Sequence, residues 1–387
     1  MISNKMLGIR EAATVLMNQK AIDLQKKGVK VYNFGIGEPD QTTPTNIIES
    51  AFDNARSGKT HYTPSDGIPE LREKIAEKMK RKNNIDASPE NIVVTPTKYA
   101  LFMTARCILN TSDKVVIQEP YWVSYPYMVR LSGGVPQFLE SEDDYEFNYD
   151  LLRKQLGESG VKALILNNPL NPSGKVYSEK SLRKLIDIIL EYKDIYLISD
   201  EIYEDLIYSG KMFSPASISE IGERTITISG FSKSYAMTGW RIGYVTGPRE
   251  FIKAVSMMQQ HTITCAPSIS QYAALAALDD NETPIRLKNT FLERRNIVIS
   301  LLSESELMSF YKPDGTFYIF PSYSINIDSV QFALGLLESK HVIVTPGSAF
   351  GKRGEFHFRI SYATSTDTIK EGIPLINEYV KSLKSRD

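Results

Sequence analysis

Hydrophobic and polar positions along the chain follow two periods that take turns. Short apolar or β-branched runs recur at 91–95, 114–118, 135–140, 162–166, 195–199 and 225–228, with Gly, Pro, Asn or Asp close by, and such runs read as strands. Before, between and after them, apolar residues fall three and four apart. That spacing predicts helices over 46–57, 68–81, 99–109, 149–156 and 179–192, with one more ending at Leu131. A helix over Gly8 to Lys27 is predicted ahead of these, on Ala13, Leu16, Met17, Ile22 and Leu24, with Gly28 at its end. After Arg241 the rhythm changes to helices near 249–261, 268–278 and 284–303, followed by a mixed stretch.

Strand–helix alternation over this many units predicts an α/β fold, a mainly parallel sheet covered on both faces. The mixed carboxyl-terminal stretch predicts a smaller α+β unit. The long helix from about residue 284 marks the boundary, so the large domain is expected over 46–283 and the small one over 1–45 with 284–387. In open parallel sheets ligands bind beyond the carboxyl ends of the strands. The polar clusters Pro96-Thr97-Lys98, Glu119-Pro120-Tyr121-Trp122, Asn167 to Gly174 and Asp200-Glu201-Ile202-Tyr203 each follow a predicted strand. They point to one shared site.

Composition narrows the classes. A formal net charge of −1 over 387 residues removes the electrostatic case for nucleic acid or a membrane surface. Cys107 and Cys265 are too few for a disulfide framework and fit a reducing, cytoplasmic compartment. The four histidines are scattered, so no metal site is predicted. Met1 to Arg10 lacks the apolar core of a signal peptide, and no apolar run approaches membrane-spanning length. Gly35-Ile36-Gly37 lacks the third glycine of a dinucleotide fingerprint, and Pro39 follows where a helix would start. This speaks against a nicotinamide dehydrogenase. No basic helix-turn-helix precedes residue 30, which speaks against a ligand-sensing module fused to a DNA-binding domain.

The chemistry gathers at Ser229 to Arg241. Lys233 sits among small and hydroxylated residues just past the run Thr225 to Ile228. A lysine desolvated there loses charge easily and attacks carbonyls. Arg241 offers a planar fork suited to phosphate. Taken singly, these residues have plain readings as well. Lys233 and Arg359 read as surface charges, Asp200 as a helix N-cap, Asn171-Pro172-Ser173-Gly174 as a turn and Trp122 as a core aromatic.

Taken together, the motifs resemble the class I aminotransferases, pyridoxal-phosphate enzymes of fold type I, and most closely the aspartate aminotransferases. Gly-Glu-Pro-Asp from Gly37, Tyr-Thr-Pro-x-x-Gly from Tyr62, Pro-Tyr-Trp from Pro120, Asn-Pro-Ser-Gly from Asn171, Asp-Glu-Ile-Tyr from Asp200, Ser232-Lys233, Gly-Trp-Arg-Ile-Gly from Gly239 and Phe-Arg-Ile-Ser-Tyr from Phe358 come in that family's order and span the chain. The resemblance implies a seven-stranded-type sheet and a homodimer with shared sites. It makes Lys233 the amine that bonds to pyridoxal 5′-phosphate and moves the proton, and Asp200 the partner of the ring nitrogen. Tyr203 and Asn171 would meet the phenolic oxygen, and Trp122 would stack on the ring. Arg241, Thr97, Ser232 and Tyr62 of the neighbouring subunit would hold the phosphate. Arg359 would clamp the substrate carboxylate, helped by the Gly37 amide and Asn171, with Trp122, Lys98 and Thr14 near the substrate side chain.

Two departures stand out. Pro96-Thr97-Lys98 has no glycine and is one residue short of the family's phosphate turn, and Gly230 stands where many members carry a serine hydroxyl. Lys98 matches the lysine that reads an acidic side chain in one branch of the family. The implied reaction is ping-pong transamination between aspartate or glutamate and 2-oxoglutarate or oxaloacetate. Aromatic or broad-specificity transamination is the alternative, as is a pyridoxal-phosphate lyase on the same fold.

Overall fold

The structure is a computed structural model that describes residues 6, 9, 19–20, 22–24 and 26–384. Most of the helix predicted over Gly8 to Lys27 lies outside the described residues.

The first strand among the described residues is β1 (Tyr32–Asn33); the next strands are β2 (Ile92–Val94), β3 (Lys114–Glu119), β4 (Val135–Glu140) and β5 (Val161–Asn167). Next come β6 (Tyr196–Asp200), β7 (Thr225–Gly230) and β8 (Gly243–Thr246). β2 to β8 form a seven-stranded sheet in the order β2-β8-β7-β6-β5-β3-β4. Its pairings are parallel except for those of β8, which runs antiparallel to both β2 and β7. β5 shows why the sheet forms. Its residues alternate between two cores, with Ala163 and Ile165 on one side and Leu164 and Leu166 on the other. A strand buried on both faces needs such a continuous apolar run.

Helices cover both faces. Glu179–Leu190 turns Leu182, Leu185, Ile186 and Ile189 inward, a spacing of three and four. The Ser178 side chain caps its first turn by accepting from the Ser181 amide. On the other face, Thr97–Ile108 buries Ala100, Leu101, Met103 and Ala105.

Beyond the long helix Glu282–Leu302 come short strands: β9 (Met308–Ser309), β10 (Tyr318–Ile319), β11 (Ser322–Tyr323), β12 (Val342–Ile343), β13 (Thr345–Pro346) and β14 (Phe358–Ser361). β10, β14 and β13 form one antiparallel sheet, β9 pairs with β11, and β1 joins β12 in parallel. Their aromatic core includes Phe291, Phe317, Phe332 and Phe358, and it takes in Phe34 from the amino-terminal segment.

The topology brings distant residues to one edge. β3, β5, β6 and β7 are mutually parallel, so Trp122, Asn171, Tyr203 and Lys233 all leave the sheet at the same end. Because β8 runs the other way, its first residue pairs with the last of β7, Gly243 opposite Gly230. Arg241 therefore enters the sheet at the edge where Lys233 leaves it.

Candidate active site

A cavity of about 470 Å³ lies at that edge. Gly37, Thr97, Lys98, Trp122, Asn171, Asp200, Tyr203, Ser232, Lys233, Arg241 and Arg359 all line it. Two expected residues are not among them. Tyr62 is 86% exposed and does not line its own chain's cavity, and Thr14 lies outside the described residues.

Lys233 follows β7 by three residues and donates from Nζ to the Gly37 carbonyl at 2.7 Å. Burial pulls its amine down to about 8 against the opposing charge of Glu38, and Arg359, Arg241 and Lys98 pull in the same direction as burial. An amine with that pKa is partly neutral, hence nucleophilic, near neutral pH. Asp200 ends β6 and is buried. No helix follows it, so the N-cap reading does not apply. Its Oδ2 accepts from the Tyr125 hydroxyl at 2.6 Å, and its Oδ1 accepts from the Ile202 amide at 3.3 Å. Burial pushes this carboxyl up to about 6, with the Tyr125 hydroxyl, the Ile202 amide and Lys233 pulling back.

Arg359 sits in the middle of β14 and is 4% exposed, so the surface reading fails. Its Nη1 donates to Asn171 Oδ1 at 3.1 Å and its Nη2 to the Gly35 carbonyl at 2.9 Å. Its Nε is buried with no partner among the described residues. A buried donor left open costs stability, and a carboxylate entering the cavity would meet this guanidinium. Asn171 is held in turn. Its amide donates to Asn167 Oδ1 at 2.9 Å, and Asn167 Nδ2 donates to the Asp200 carbonyl at 3.0 Å. The Asn-Pro turn is therefore tied to the strand that carries Asp200.

The opposite wall suits a compact anion. Thr97 opens the helix Thr97–Ile108, whose N-cap is Pro96 and has no side-chain cap. The first amides of that helix are left for an anion, which the helix dipole also favours. Arg241 takes a left-handed backbone at φ 54° and donates from Nη1 to the Thr238 carbonyl at 2.8 Å. Thr238 in turn donates to Glu38 at 2.6 Å, which ties this segment to the Gly35–Asp40 turn.

The two sequence departures meet here. A Cβ on Gly230 would come within 2.6 Å of Thr97 Oγ1, and one on Gly243 within 2.2 Å. Thr97 thus occupies the space a serine at 230 would need. The Thr97 hydroxyl, on the helix facing the strand, lies where that serine would stand.

Lys98 is exposed at the cavity's rim, with Nζ 4.8 Å from the Trp122 ring centroid. Partial burial and nearby Arg241 hold its amine below the usual lysine range. Sequence reasoning missed Tyr125, Asn167 and Tyr318. Asn167 was visible as the polar end of an apolar strand, whereas Tyr125 and Tyr318 carry no local signal.

A neutral-leaning lysine beside a buried carboxylate, with an anion cup on one side and a carboxylate clamp on the other, suits carbonyl–amine chemistry on an anionic substrate. Comparison with known proteins agrees. The family profile described as aminotransferase class I and II matches residues 29–375. The chain is 39% identical to a probable aspartate/prephenate aminotransferase of Aquifex aeolicus, covering 99% of each. It is also 39% identical to an aspartate aminotransferase of Bacillus subtilis, over 98% of this chain and 99% of that one. The solved Thermus thermophilus aspartate aminotransferase with maleate superposes with a TM-score of 0.93 at 38% identity, over 98% and 99% of the two chains. That of Rhizobium meliloti superposes at 0.94 with 33% identity, over 99% of both. The chain belongs to the class I and II aminotransferases, enzymes that move an amino group between an amino acid and a 2-oxo acid.

Proposed function

We propose that the protein is an aspartate-type aminotransferase that works with pyridoxal 5′-phosphate. The observation that carries the substrate reading is a pair of cations on one cavity, Arg359 and Lys98. Neither forms an ion pair with a carboxylate among the described residues. A dicarboxylic amino acid supplies one carboxylate for each. The names of relatives support this, as does the relative solved with maleate, itself a dicarboxylate. The name aspartate/prephenate aminotransferase, borne by other relatives, supports a second, broader reading. Apolar Ile36 and Leu101 in the same lining favour it too.

The residues fit the cofactor. Asp200 would hold the ring nitrogen, Tyr203 and Asn171 the phenolic oxygen, and Trp122 a ring face. Thr97, Ser232, Arg241 and the open amides of the helix at Thr97 would hold the phosphate, completed by Tyr62 of the partner subunit. The cofactor, when bound, supplies an electron sink for the pair left on the substrate Cα. Arg359 fixes the α-carboxylate, which sets the direction of the Cα–H bond. Lys233 Nζ, partly neutral near neutral pH, takes the Cα proton. Asp200, buried and held by the Tyr125 hydroxyl, would offer its carboxylate to the ring nitrogen. We read the enzyme as a cytoplasmic homodimer, supported by its two free cysteines and by the exposed Tyr62. We keep the division into a large unit over 46–283 and a small unit from the two ends of the chain.

The test is the absorbance of the purified holoenzyme with aspartate, then with 2-oxoglutarate, beside phenylalanine. Aspartate is expected to shift the visible band and 2-oxoglutarate to restore it. Lys98→Met is expected to need roughly 10- to 100-fold more aspartate, the scale of one charged hydrogen bond, with no change toward phenylalanine. A band that answers phenylalanine and ignores aspartate discards the acidic reading. No band after the cofactor is supplied discards the cofactor.

A further inference from the structure

Nothing in that chemistry uses Tyr318, a phenol 1% exposed in the cavity lining. β10 pairs antiparallel with β14 so that Tyr318 lies opposite Ser361. Alternation along β14 then sets Arg359 on the same face of the sheet, one diagonal away. The two are in contact, with the Arg359 guanidinium carbon 4.3 Å from the ring centroid. At the far end of the ring, the Tyr318 hydroxyl is 3.1 Å from that of Tyr203, and the two rings meet edge to face at 80°. The same hydroxyl fills the place of a side chain at position 37, since a Cβ on Gly37 would come within 2.6 Å of it. One phenol therefore touches the carboxylate clamp, the Tyr203 hydroxyl and the turn that accepts from Lys233.

Its position is over-determined. Thr316, two residues earlier, is left-handed at φ 63°, an outlier for a β-branched residue. The Thr316 carbonyl accepts from the Tyr362 hydroxyl at 3.3 Å and from the Tyr208 hydroxyl. The Thr316 hydroxyl accepts from the Tyr318 amide at 3.1 Å. Backbone strain persists only where the surroundings enforce it. Here the enforced turn aims a single ring.

Donation between the two phenols has a direction. Each hydroxyl has one proton to give. The Arg359 cation against the Tyr318 ring draws electron density from that phenol and makes it the better donor. Tyr203 then accepts, which leaves its own proton free for the cavity. An O–H that accepts one hydrogen bond gives the next more strongly. We propose that Tyr318 is a positioning residue that donates to Tyr203, and so fixes and strengthens the Tyr203 hydroxyl as a donor to the cofactor's phenolic oxygen. The inference rests on the pyridoxal-phosphate reading of the cavity.

The test is the pH midpoint of the holoenzyme's visible band. A stronger donor stabilises the phenolic anion and lowers the pKa of the lysine–cofactor nitrogen that shares its proton. Tyr318→Phe keeps the ring under Arg359 and removes the hydroxyl. Its midpoint is expected to rise by roughly half a unit, the scale of polarising one hydrogen bond. The KM for aspartate is expected to stay within about two-fold while kcat falls, because the clamp is intact. In a Tyr203→Phe background, Tyr318→Phe is expected to add no further shift. Replacing Tyr318 by a ring-fluorinated, more acidic tyrosine preserves the fold's contacts and is expected to move the midpoint down. An intact band whose midpoint ignores Tyr318→Phe, or moves equally in both backgrounds, overturns the role of Tyr318 alone. A midpoint that does not fall with the fluorinated ring overturns it as well. A wild-type enzyme with no band at all overturns the cofactor reading and this inference together.

Discussion

Asp200 and Glu201 are consecutive residues whose carboxyl groups enter different surroundings. Glu201 turns to an interior cluster, where its Oε1 accepts from Ser199 at 2.9 Å and from Ser214 at 2.7 Å. Beside it, Glu204 accepts from Lys78 at 2.5 Å, Ser229 at 2.7 Å and Asn83 at 2.8 Å, and Lys78 also donates to Tyr244 at 2.9 Å. Every carboxylate in that cluster has its donors inside the protein. Asp200 turns instead to the cavity, where Lys98, Lys233, Arg241 and Arg359 converge. Their bonds go to carbonyls, an amide side chain and a ring face, and none pairs with a carboxylate among the described residues. Burial alone does not separate the two regions, because each holds buried groups with displaced pKa values, Asp200 and Lys233 in one and Glu201 in the other. What separates them is balance. A cluster that satisfies itself is part of the scaffold, whereas leftover charge of one sign marks where ligands bind.

Substitutions on the two sides should therefore behave differently. Lys233→Ala is expected to have the largest effect, with kcat falling by more than roughly 10⁴-fold, beyond what proton transfer alone contributes. Measured turnover with aspartate and 2-oxoglutarate checks it. Arg359→Lys comes next. It keeps the charge but loses the planar fork, so the KM for every amino acid is expected to rise roughly 10- to 100-fold, with far less change in unfolding temperature. A comparable loss of thermal stability would mean that Arg359 belongs with the self-satisfied groups.

Glu201→Gln is expected to leave activity nearly untouched and to act on stability alone. Burial, reinforced by Glu204, pushes the Glu201 carboxyl from 4.5 up to about 8, against Ser214, Ser199 and Lys78. Lys82 and Tyr244 face the same cluster through Glu204 and Lys78. An acid whose pKa is raised by folding contributes most below its unfolded pKa, and that stability is lost as pH climbs from about 4.5 through about 8. The amide mimics the protonated acid, so the variant should match wild type near pH 5 and melt a few degrees higher at pH 9. Equal melting at both pH values would show that Glu201 is not held protonated.

The sequence carried the frame of the molecule and most of the cavity's polar lining for a physical reason: strand ends are local signals, and the sheet gathers them. The runs before Trp122, Asn171, Tyr203 and Lys233 were legible because burial on both faces demands continuous apolar strands. β8 was not, since Gly243-Tyr244-Val245-Thr246 is four residues long and mixed in polarity. Its antiparallel course is nevertheless what delivers Arg241 to the edge. The odd pairing of Thr97 with Gly230 looked like two separate defects because the two residues meet only across the fold. Tyr125 and Tyr318 act through partners 75 and 115 residues away, and no local pattern announces such contacts.

Lys233, and not the largely enclosed Lys78 of the closed cluster, is the reactive amine. Borohydride reduction of the holoenzyme, followed by peptide mapping, tests it directly. The cofactor's mass is expected on the peptide that carries Lys233 and on no other. Finding it on Lys78 or Lys98, or on no lysine while the visible band is present, would contradict the account.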